Sequence, residues 1–215
     1  MASPVKKPKR SRASKELRQR QLILATIEAV SKHGLSDTKL SQVSQIAGLS
    51  QGIVNLHFKS KDLLFTETLK YLRDEYRAVW LEALANAPDD PAEKLAALAK
   101  ADFARSVISR KKLAVWFAFW GEAKANQSYR RICRESDIDH AKSTVDLMTQ
   151  LVNEGEYTEI DPATTSTGFM ALADGLWLGL HVSPDRYTRK GSLAIILQYL
   201  AYCFPRHAHI FMEYA

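Results

Sequence analysis

The chain has 215 residues, with only 9 Gly and 7 Pro, and its formal net charge is +6. No apolar run reaches the ~18 residues of a membrane span, and the basic N-terminus has no apolar signal core, so we expect a cytoplasmic protein with no membrane partner. Runs of alternating Val, Ile or Thr are absent, and Cys133 and Cys203 lack metal-ligand spacing. The composition therefore predicts an all-α fold with two free thiols, no metal and no other cofactor.

The basic charge is concentrated at the N-terminus. Residues 1–65 hold 12 Lys and Arg against 4 Asp and Glu, whereas residues 66–215 hold 18 against 20. Residues 1–13 are polar, basic and interrupted by proline, and we expect them to form a flexible arm. A charge run alone is most often a solvated tail, but a basic region beside a DNA-reading motif would be an electrostatic footprint for phosphate.

A first helix is predicted from about Ser14 to His33, because apolar residues recur at helical spacing and Gly34 follows. The residues expected on its core face are Leu17, Ile23, Leu24, Ile27 and Val30.

Residues 38–61 then indicate two short helices, a tight turn between them and the start of a third helix. The first short helix has one apolar face, made of Leu40, Val43, Ile46 and Ala47. Gly48 supplies the positive φ that a sharp helix end needs, and Ser50 and Ser60 are placed to cap the next two helices. This arrangement is what a helix-turn-helix DNA reader requires.

This stretch resembles the N-terminal pattern of the TetR family of bacterial transcriptional regulators. The matching residues are Thr38, Val43, Ile46, Ala47, Gly48, Leu49, Ser50, Gly52, Phe58, Lys61 and Leu64. The chain departs from the pattern at Asn55, where the family usually has Tyr. The resemblance implies a double-stranded DNA operator as partner. The residues expected to face DNA are Thr38, Ser50, Gln51, Gly52, Asn55, Leu56, His57 and Lys61.

The rest of the chain predicts further helices, about nine in total. They are expected over residues 60–88, from residue 90 onward, and over residues 110–126, 128–153, 161–182 and 188–204. In the helix over residues 128–153, the residues in apolar register are Ile138, Ala141, Val145, Met148 and Val152. Asp90-Pro91 and Asp161-Pro162 are strong start signals, because each places an N-cap before a proline at the first helical position. After the last of these helices, His207 and His209 are expected to lie in a frayed tail.

The helix over residues 161–182 has one sector of small residues when it is projected at ~100° per residue. That sector would let another helix backbone approach closely. In the TetR family the last two helices form a dimeric four-helix bundle, so the resemblance implies a homodimer, with packing inside one chain as the alternative. The residues expected at the interface are Gly168, Ala171, Gly175, Gly179, Leu193, Leu197 and Leu200.

The sequence has no Gly-rich phosphate loop, HExxH, serine elbow or CxxC, so we expect no catalytic residue and no enzyme activity. Its unusual feature is a concentration of aromatic residues over 116–129, matched by Trp177 on a later helix. Large aromatics often simply fill a core. However, Asp174 is expected to lie deep in an apolar helix, where a carboxylate needs a partner. Ring faces with one negative charge suit a quaternary ammonium ion.

The segments KLAVWFAFWGEAKANQSYRRI and ALADGLWLG resemble the C-terminal domain of the choline-sensing, BetI-type branch of the TetR family. The matching residues are Trp116, Ala118, Phe119, Trp120, Tyr129, Arg130, Asp174, Gly175, Leu176, Trp177 and Leu178. The resemblance implies a repressor of choline and glycine-betaine genes whose DNA affinity choline lowers. The residues expected to bind the ligand are Trp116, Phe119, Trp120, Tyr129, Asp174 and Trp177.

We therefore predict an all-α, homodimeric repressor that binds a palindromic operator. Residues 1–13 are the basic arm, residues 14–66 the helix-turn-helix domain, and residues 67–215 the ligand-binding and dimerisation domain. The first alternative is a TetR-type regulator that responds to a different hydrophobic or cationic ligand. The second is a helical ligand-binding protein or enzyme without DNA function.

Overall fold

The described part of the chain folds into ten α-helices without a β-strand, so the all-α prediction is confirmed. The computed structural model describes residues 9–215, apart from the side chains of residues 9–13, 136 and 137. The helices are α1 (Lys9–Asp37), α2 (Leu40–Ala47), α3 (Gln51–His57), α4 (Lys61–Asn86), α5 (Pro91–Asp102), α6 (Arg110–Glu122), α7 (Gln127–Glu154), α8 (Pro162–Val182), α9 (Arg189–Cys203) and α10 (Ala208–Glu213), with a 3-10 turn at Pro205–His207. Across residues 9–215, no helix has the length and apolar character to cross a membrane.

Side-chain caps fix the starts of several helices. The predicted caps at Ser60, Asp90 and Asp161 are present, because each side chain accepts backbone N–H groups from the first turn of its helix. Ser50 also occupies the N-cap position of α3, but its hydroxyl makes no capping hydrogen bond, contrary to the prediction. The start of α3 is therefore not fixed by its own cap.

Helices α1 to α3 and the start of α4 form an N-terminal head. Helix α1 lies against α2, α3, α4 and α6. Gly34, with φ 77°, interrupts α1 near its end, and Gly48, with φ 64°, ends α2 as predicted. These positive φ angles favour glycine, which has no Cβ to clash. Val43, Val54 and Phe58 are buried and join α2 and α3 to the core of the head.

Helix α4 connects this head to the remaining helices. At its N-terminus the Lys61 ammonium donates to the main-chain carbonyl of Ser36, at 3.1 Å. Farther along, α4 packs against α5, α6 and α7. Helix α8 lies against α6, α7 and α9, and α9 also contacts α5 and α10. The side chains that are fully buried in this part include Leu95, Phe103, Phe119, Phe169 and Phe204.

Some apolar residues assigned to the core by their spacing lie on the surface. Leu17 on α1 is 66 % exposed, and Ile138 on α7 is 53 % exposed. In α7 the inward positions near Ile138 belong instead to His140 and Thr144, both of which are buried. The Thr144 hydroxyl donates to the main-chain carbonyl of Ala141 at 2.9 Å. The register predicted for α7 is therefore confirmed at Met148, which is fully buried, and is wrong at Ile138, where polar side chains with hydrogen-bond partners take the inward positions.

The two ends of the chain also differ from the prediction. Helix α1 begins at Lys9 rather than near Ser14, and residues 1–8 of the predicted arm lie outside the described residues. The C-terminus is not frayed. Phe211 is fully buried, and the Tyr214 hydroxyl donates to the Glu93 carboxylate at 2.7 Å.

Candidate functional site

The outer face of α3 is the candidate DNA-contacting surface. Val54 is buried beneath the helix, while Gln51, Gly52, Asn55 and Leu56 are all exposed on the opposite side. Leu56 is 79 % exposed, although its side chain is large and apolar. An exposed row of small, amide and apolar groups can reach base edges and thymine methyl groups in a major groove.

The other head residues predicted to contact DNA are placed differently. Ser50 is exposed beside α3, whereas Thr38 is fully buried and its hydroxyl donates to the Gly34 carbonyl at 2.6 Å. The Thr38 side chain is therefore not presented at the surface. The Lys61 ammonium is half-buried and lies 5.1 Å from the centre of the Phe65 ring. His57 is half-buried, and its Nδ1 has no hydrogen-bond partner among the described residues.

A cavity of about 520 Å³, including the space at its mouth, lies between α4, α5, α6, α7 and α8. Only about 40 Å³ of this space is open to the centre of a water-sized molecule, so a larger ligand requires the lining side chains to move apart. The residues that line it are Tyr76, Asp102, Trp116, Trp120, Cys133, His140, Met170, Ala173, Asp174 and Trp177. The fold thus brings together four of the six residues predicted to bind a ligand, from two helices that are distant in sequence.

Phe119 and Tyr129 do not line this cavity, unlike the other predicted ligand residues. The Phe119 ring meets Tyr129 edge-on at 4.9 Å and Phe65 edge-on at 6.4 Å. The Tyr129 hydroxyl lies 3.4 Å from the Asp62 carboxylate, and burial, together with that negative charge, raises the pKa of Tyr129 far above its usual range. Phe119 projects from a different side of α6 than Trp120, since neighbouring helical residues are rotated by ~100°. These two rings instead connect α6 and α7 to the start of α4.

Two carboxylates line the cavity in very different environments. Asp174 is exposed, whereas we expected it to lie deep in the helix packing. Asp102 is only 2 % exposed and was not predicted as a site residue. Its Oδ1 accepts a 2.7 Å hydrogen bond from the Tyr76 hydroxyl and lies 3.4 Å from Nε2 of His140. The buried acid, its tyrosine donor and the histidine come from α5, α4 and α7.

The indole rings form a continuous aromatic wall. Trp120 and Trp177 are parallel within 5°, with centres 6.4 Å apart, and Trp116 lies 6.2 Å from Trp120 at 49°. A group inserted between two rings needs roughly 3.5–4 Å to the carbon atoms on each side, or more than ~7 Å in total. Trp120 and Trp177 therefore act as one wall, and Tyr76, whose ring lies 5.7 Å from Trp177 at 72°, provides a second.

The predicted dimer residues divide into two groups. The first group is covered by side chains of the same chain. A Cβ on Gly168 would lie 2.5 Å from the Tyr199 hydroxyl, and a Cβ on Gly179 would lie 2.9 Å from the Tyr187 ring. Leu193 is half-buried. Leu197 and Leu200 are fully buried in their own chain and cannot form a surface. Ala171 and Gly175 are exposed, and so are four large apolar side chains of α8 and α9. These are Leu178, Val182, Ile195 and Tyr202.

Within the described side chains, no group of His, Cys, Asp and Glu is arranged to hold a metal ion. The structure therefore contains two candidate sites. One is the aromatic cavity, which two carboxylates line, and the other is the exposed face of α3 in the basic N-terminal head.

Two family models match the chain. Residues 22–68 match the bacterial regulatory proteins of the TetR family, and residues 91–205 match the C-terminal domain of BetI-type transcriptional repressors. The HTH-type transcriptional regulator BetI of Paraburkholderia phymatum is 31 % identical over 187 residues, which cover 86 % of this chain and 92 % of the relative.

Solved structures are similar over the same extent. A transcriptional regulator from Pseudomonas aeruginosa PAO1 is 26 % identical, with a TM-score of 0.78, over 91 % of this chain and 94 % of that one. A regulator from Saccharomonospora viridis, solved in complex with choline, shares the fold with a TM-score of 0.79 at 16 % identity, over 87 % of this chain and 97 % of that one. The chain belongs to the TetR family, as a transcriptional repressor with a C-terminal domain of the BetI type.

Proposed function

We propose that this repressor binds a palindromic operator as a homodimer and leaves it when choline occupies the cavity, so that it controls choline and glycine-betaine genes. The observation that carries this proposal is the cavity itself, in which three indole rings lie beside two carboxylates. These rings belong to Trp116, Trp120 and Trp177, and the acids are Asp102 and Asp174.

A quaternary ammonium ion matches this lining for a physical reason. It has no N–H to donate and water solvates it weakly, so ring faces and nearby negative charge must recognise it. Each ring within ~6 Å contributes roughly 0.5–2 kcal/mol, and a few such rings suffice for micromolar to millimolar affinity after the costs of ordering. The BetI relatives and the choline complex of the S. viridis regulator support choline as the ligand.

The DNA partner follows from the head. Helix α3 exposes Gln51, Gly52, Asn55 and Leu56 on one face, where they would read base edges. Ser50, His57 and Lys61 border that face and would contact phosphate, together with the basic N-terminus. Contact through Thr38 would have to use its main chain, since its hydroxyl is buried. A dimer would place one α3 in each half-site.

The dimer partner would cover the exposed face of α8 and α9. That face holds small residues, Ala171 and Gly175, beside four exposed apolar side chains, Leu178, Val182, Ile195 and Tyr202. Because a two-fold interface uses the same patch on both subunits, one self-complementary helical face is sufficient.

Two helices would transmit ligand binding to the head. Helix α4 carries Tyr76 at the cavity and Phe65 near the head, and α6 carries Trp120 at the cavity and Phe119 against Phe65. A ligand that moves the cavity walls would therefore displace the start of α4. Such displacement changes operator affinity only if choline binds the two conformations differently.

Calorimetry tests the ligand assignment. Choline and tetramethylammonium should both bind, while the neutral isostere 3,3-dimethylbutan-1-ol, in which carbon replaces nitrogen, should bind at least severalfold more weakly. Equal affinity for the neutral isostere would exclude recognition of the charge. Heat with another cation but none with choline would favour the alternative of a TetR-type regulator with a different cationic ligand.

A further inference from the structure

The Asp102–His140 pair is a buried acid beside a buried imidazole at the edge of the cavity. Both residues are 2 % exposed, and Nε2 of His140 lies 3.4 Å from Oδ1 of Asp102. The imidazole is held in place by rings on two other helices, α4 and α8. Its centre lies 5.5 Å from that of Trp80, 5.8 Å from Tyr76 and 6.4 Å from Phe169.

A carboxylate buried to this extent is costly unless positive charge or hydrogen bonds compensate it. The Tyr76 hydroxyl supplies one hydrogen bond. A proton on His140 would supply a positive charge, and so would a cation in the cavity. Both positive charges would act on the Asp102 carboxylate. Two cations beside one carboxylate in a site of low polarity also repel each other.

We propose that choline and a proton on His140 compete for Asp102, so that choline binding expels this proton and the response of the repressor to choline weakens as the pH falls. This inference rests on the proposed function, because it requires a cationic ligand in the cavity. It assigns a role to two residues, Asp102 and His140, on α5 and α7, that the aromatic motifs do not include.

Several other ionisable side chains lie around His140. Tyr76 faces it from α4, Asp102 from α5 and Asp174 from α8 across the same cavity, and Cys133 lines the cavity from its own helix. The nearby Arg77 pairs with Asp139 at 3.2 Å, on the exposed side of α4 and α7. Of these side chains, an imidazole is the type that ordinarily changes charge between pH ~5 and ~8.

The direction of the effect follows from the competition. Above the pH at which His140 titrates, the imidazole is neutral. Because choline then displaces no proton from the site, its affinity is independent of pH. Below that pH, choline must displace a proton, and affinity falls by up to about tenfold per pH unit. Over the two pH units between pH 7.5 and pH 5.5 the loss is therefore at most about a hundredfold.

The test is calorimetry of the full-length protein with choline at pH 7.5 and pH 5.5, with circular dichroism to verify folding at both. We expect at least severalfold weaker binding at pH 5.5. At pH 6.5 the heat should also differ between buffers of different ionisation enthalpy, in the sense that choline binding releases up to one proton per site. This second measurement uses the unmodified chain, so it holds even if a variant fails to fold.

Two histidine variants locate the proton. His140→Gln should remove both the pH dependence and the buffer dependence, whatever its effect on affinity. His181→Gln is the matched control, because His181 is exposed on α8, stacks on Phe117 at 5.3 Å and does not line the cavity. It should retain both dependences.

The possible results distinguish the competition between choline and the His140 proton from the proposed function itself. Choline binding with the same affinity at both pH values and no buffer dependence would overturn the competition while the proposed function stands. A pH dependence that survives in His140→Gln would also overturn it. No binding of choline or tetramethylammonium at either pH would overturn the proposed function, and the competition with it.

Discussion

The indole N–H of Trp177 donates a hydrogen bond of 3.0 Å to the main-chain carbonyl of Asp102. This contact joins α8 to the last residue of α5 and fixes how the Trp177 ring is turned. The side-chain carboxylate of Asp102 accepts a hydrogen bond from the Tyr76 hydroxyl. One residue therefore orients an aromatic wall of the cavity with its main chain and presents a buried negative charge with its side chain.

Substitution of Trp177 tests the aromatic wall. Trp177→Ala should weaken choline binding by about 2- to 30-fold, which corresponds to the loss of one ring worth ~0.5–2 kcal/mol. Trp177→Phe should lose less choline affinity than Trp177→Ala, because a ring remains although the hydrogen bond to Asp102 is gone. Trp177 is buried, so Ala also leaves a void that destabilises the fold. Calorimetry and a thermal melt separate the two effects, and unchanged affinity in folded Trp177→Ala would remove this ring from the site.

Replacement of each acid by its amide tests which one balances the ligand charge. Both Asp102→Asn and Asp174→Asn should weaken choline binding at pH 7.5. We expect the larger loss for Asp102, because charge interactions are screened less at a buried position than at an exposed one such as Asp174.

Tyr129→Phe is the control for the acid variants, because the Tyr129 hydroxyl contacts Asp62 outside the cavity. Its choline affinity should match that of the unmodified chain. Calorimetry would contradict the assignment if neither amide variant differed from Tyr129→Phe.

The local features of this fold were readable from the sequence because their causes lie within a few residues. Ser60, Asp90 and Asp161 cap the helices that they were expected to cap, and Gly48 has the positive φ expected at the turn. Each depends on one side chain and the backbone of the adjacent turn. Ser50 is the exception, because its hydroxyl makes no capping hydrogen bond at the start of α3.

The buried acid of the cavity was not readable in the same way. Tyr76, Asp102 and His140 lie on three helices, and no short motif links them. One sign was present: Asp102 follows Leu95 and Leu98 in the apolar register of α5, and a carboxylate in that register needs a partner. The identity of the partners depends on which helices meet, and periodicity within one helix does not determine that.

Gly168 and Gly175 show a second limit. They fall in the same sector of α8, so projection treats them alike. In the structure Tyr199 of α9 covers the sector at Gly168, while the space beyond Gly175 is open. Helical projection finds which residues share a face, but the neighbouring helix decides how much of that face is buried.

These two glycines provide a paired test of the dimer. A Cβ on Gly175 would meet no atom of the neighbouring helices within 4 Å, so Gly175→Leu should leave the subunit folded and shift the protein toward monomer. Gly168→Leu would press on Tyr199 and should lower the melting temperature instead. Analytical ultracentrifugation with thermal melts distinguishes them. If Gly175→Leu still forms a stable dimer, the dimer interface does not include Gly175.

Removal of one positive charge tests the DNA surface. Lys61→Ala should weaken binding to every DNA sequence and reduce the slope of log affinity against log salt by about one. Lys190→Ala is the control, because Lys190 is exposed on α9 and should leave the slope unchanged. An unchanged slope in Lys61→Ala, measured by fluorescence anisotropy, would mean that Lys61 contacts no phosphate and acts only through its contacts with Ser36 and Phe65.

The central claim is that a cation in the aromatic cavity releases the repressor from DNA. The most direct test is fluorescence anisotropy on an operator fragment, selected by gel shift on genomic DNA, with and without saturating choline at pH 7.5. We predict that choline weakens operator binding at least severalfold, and that 3,3-dimethylbutan-1-ol at the same concentration does not. Operator affinity that choline leaves unchanged, or that the neutral isostere lowers equally, would contradict the account.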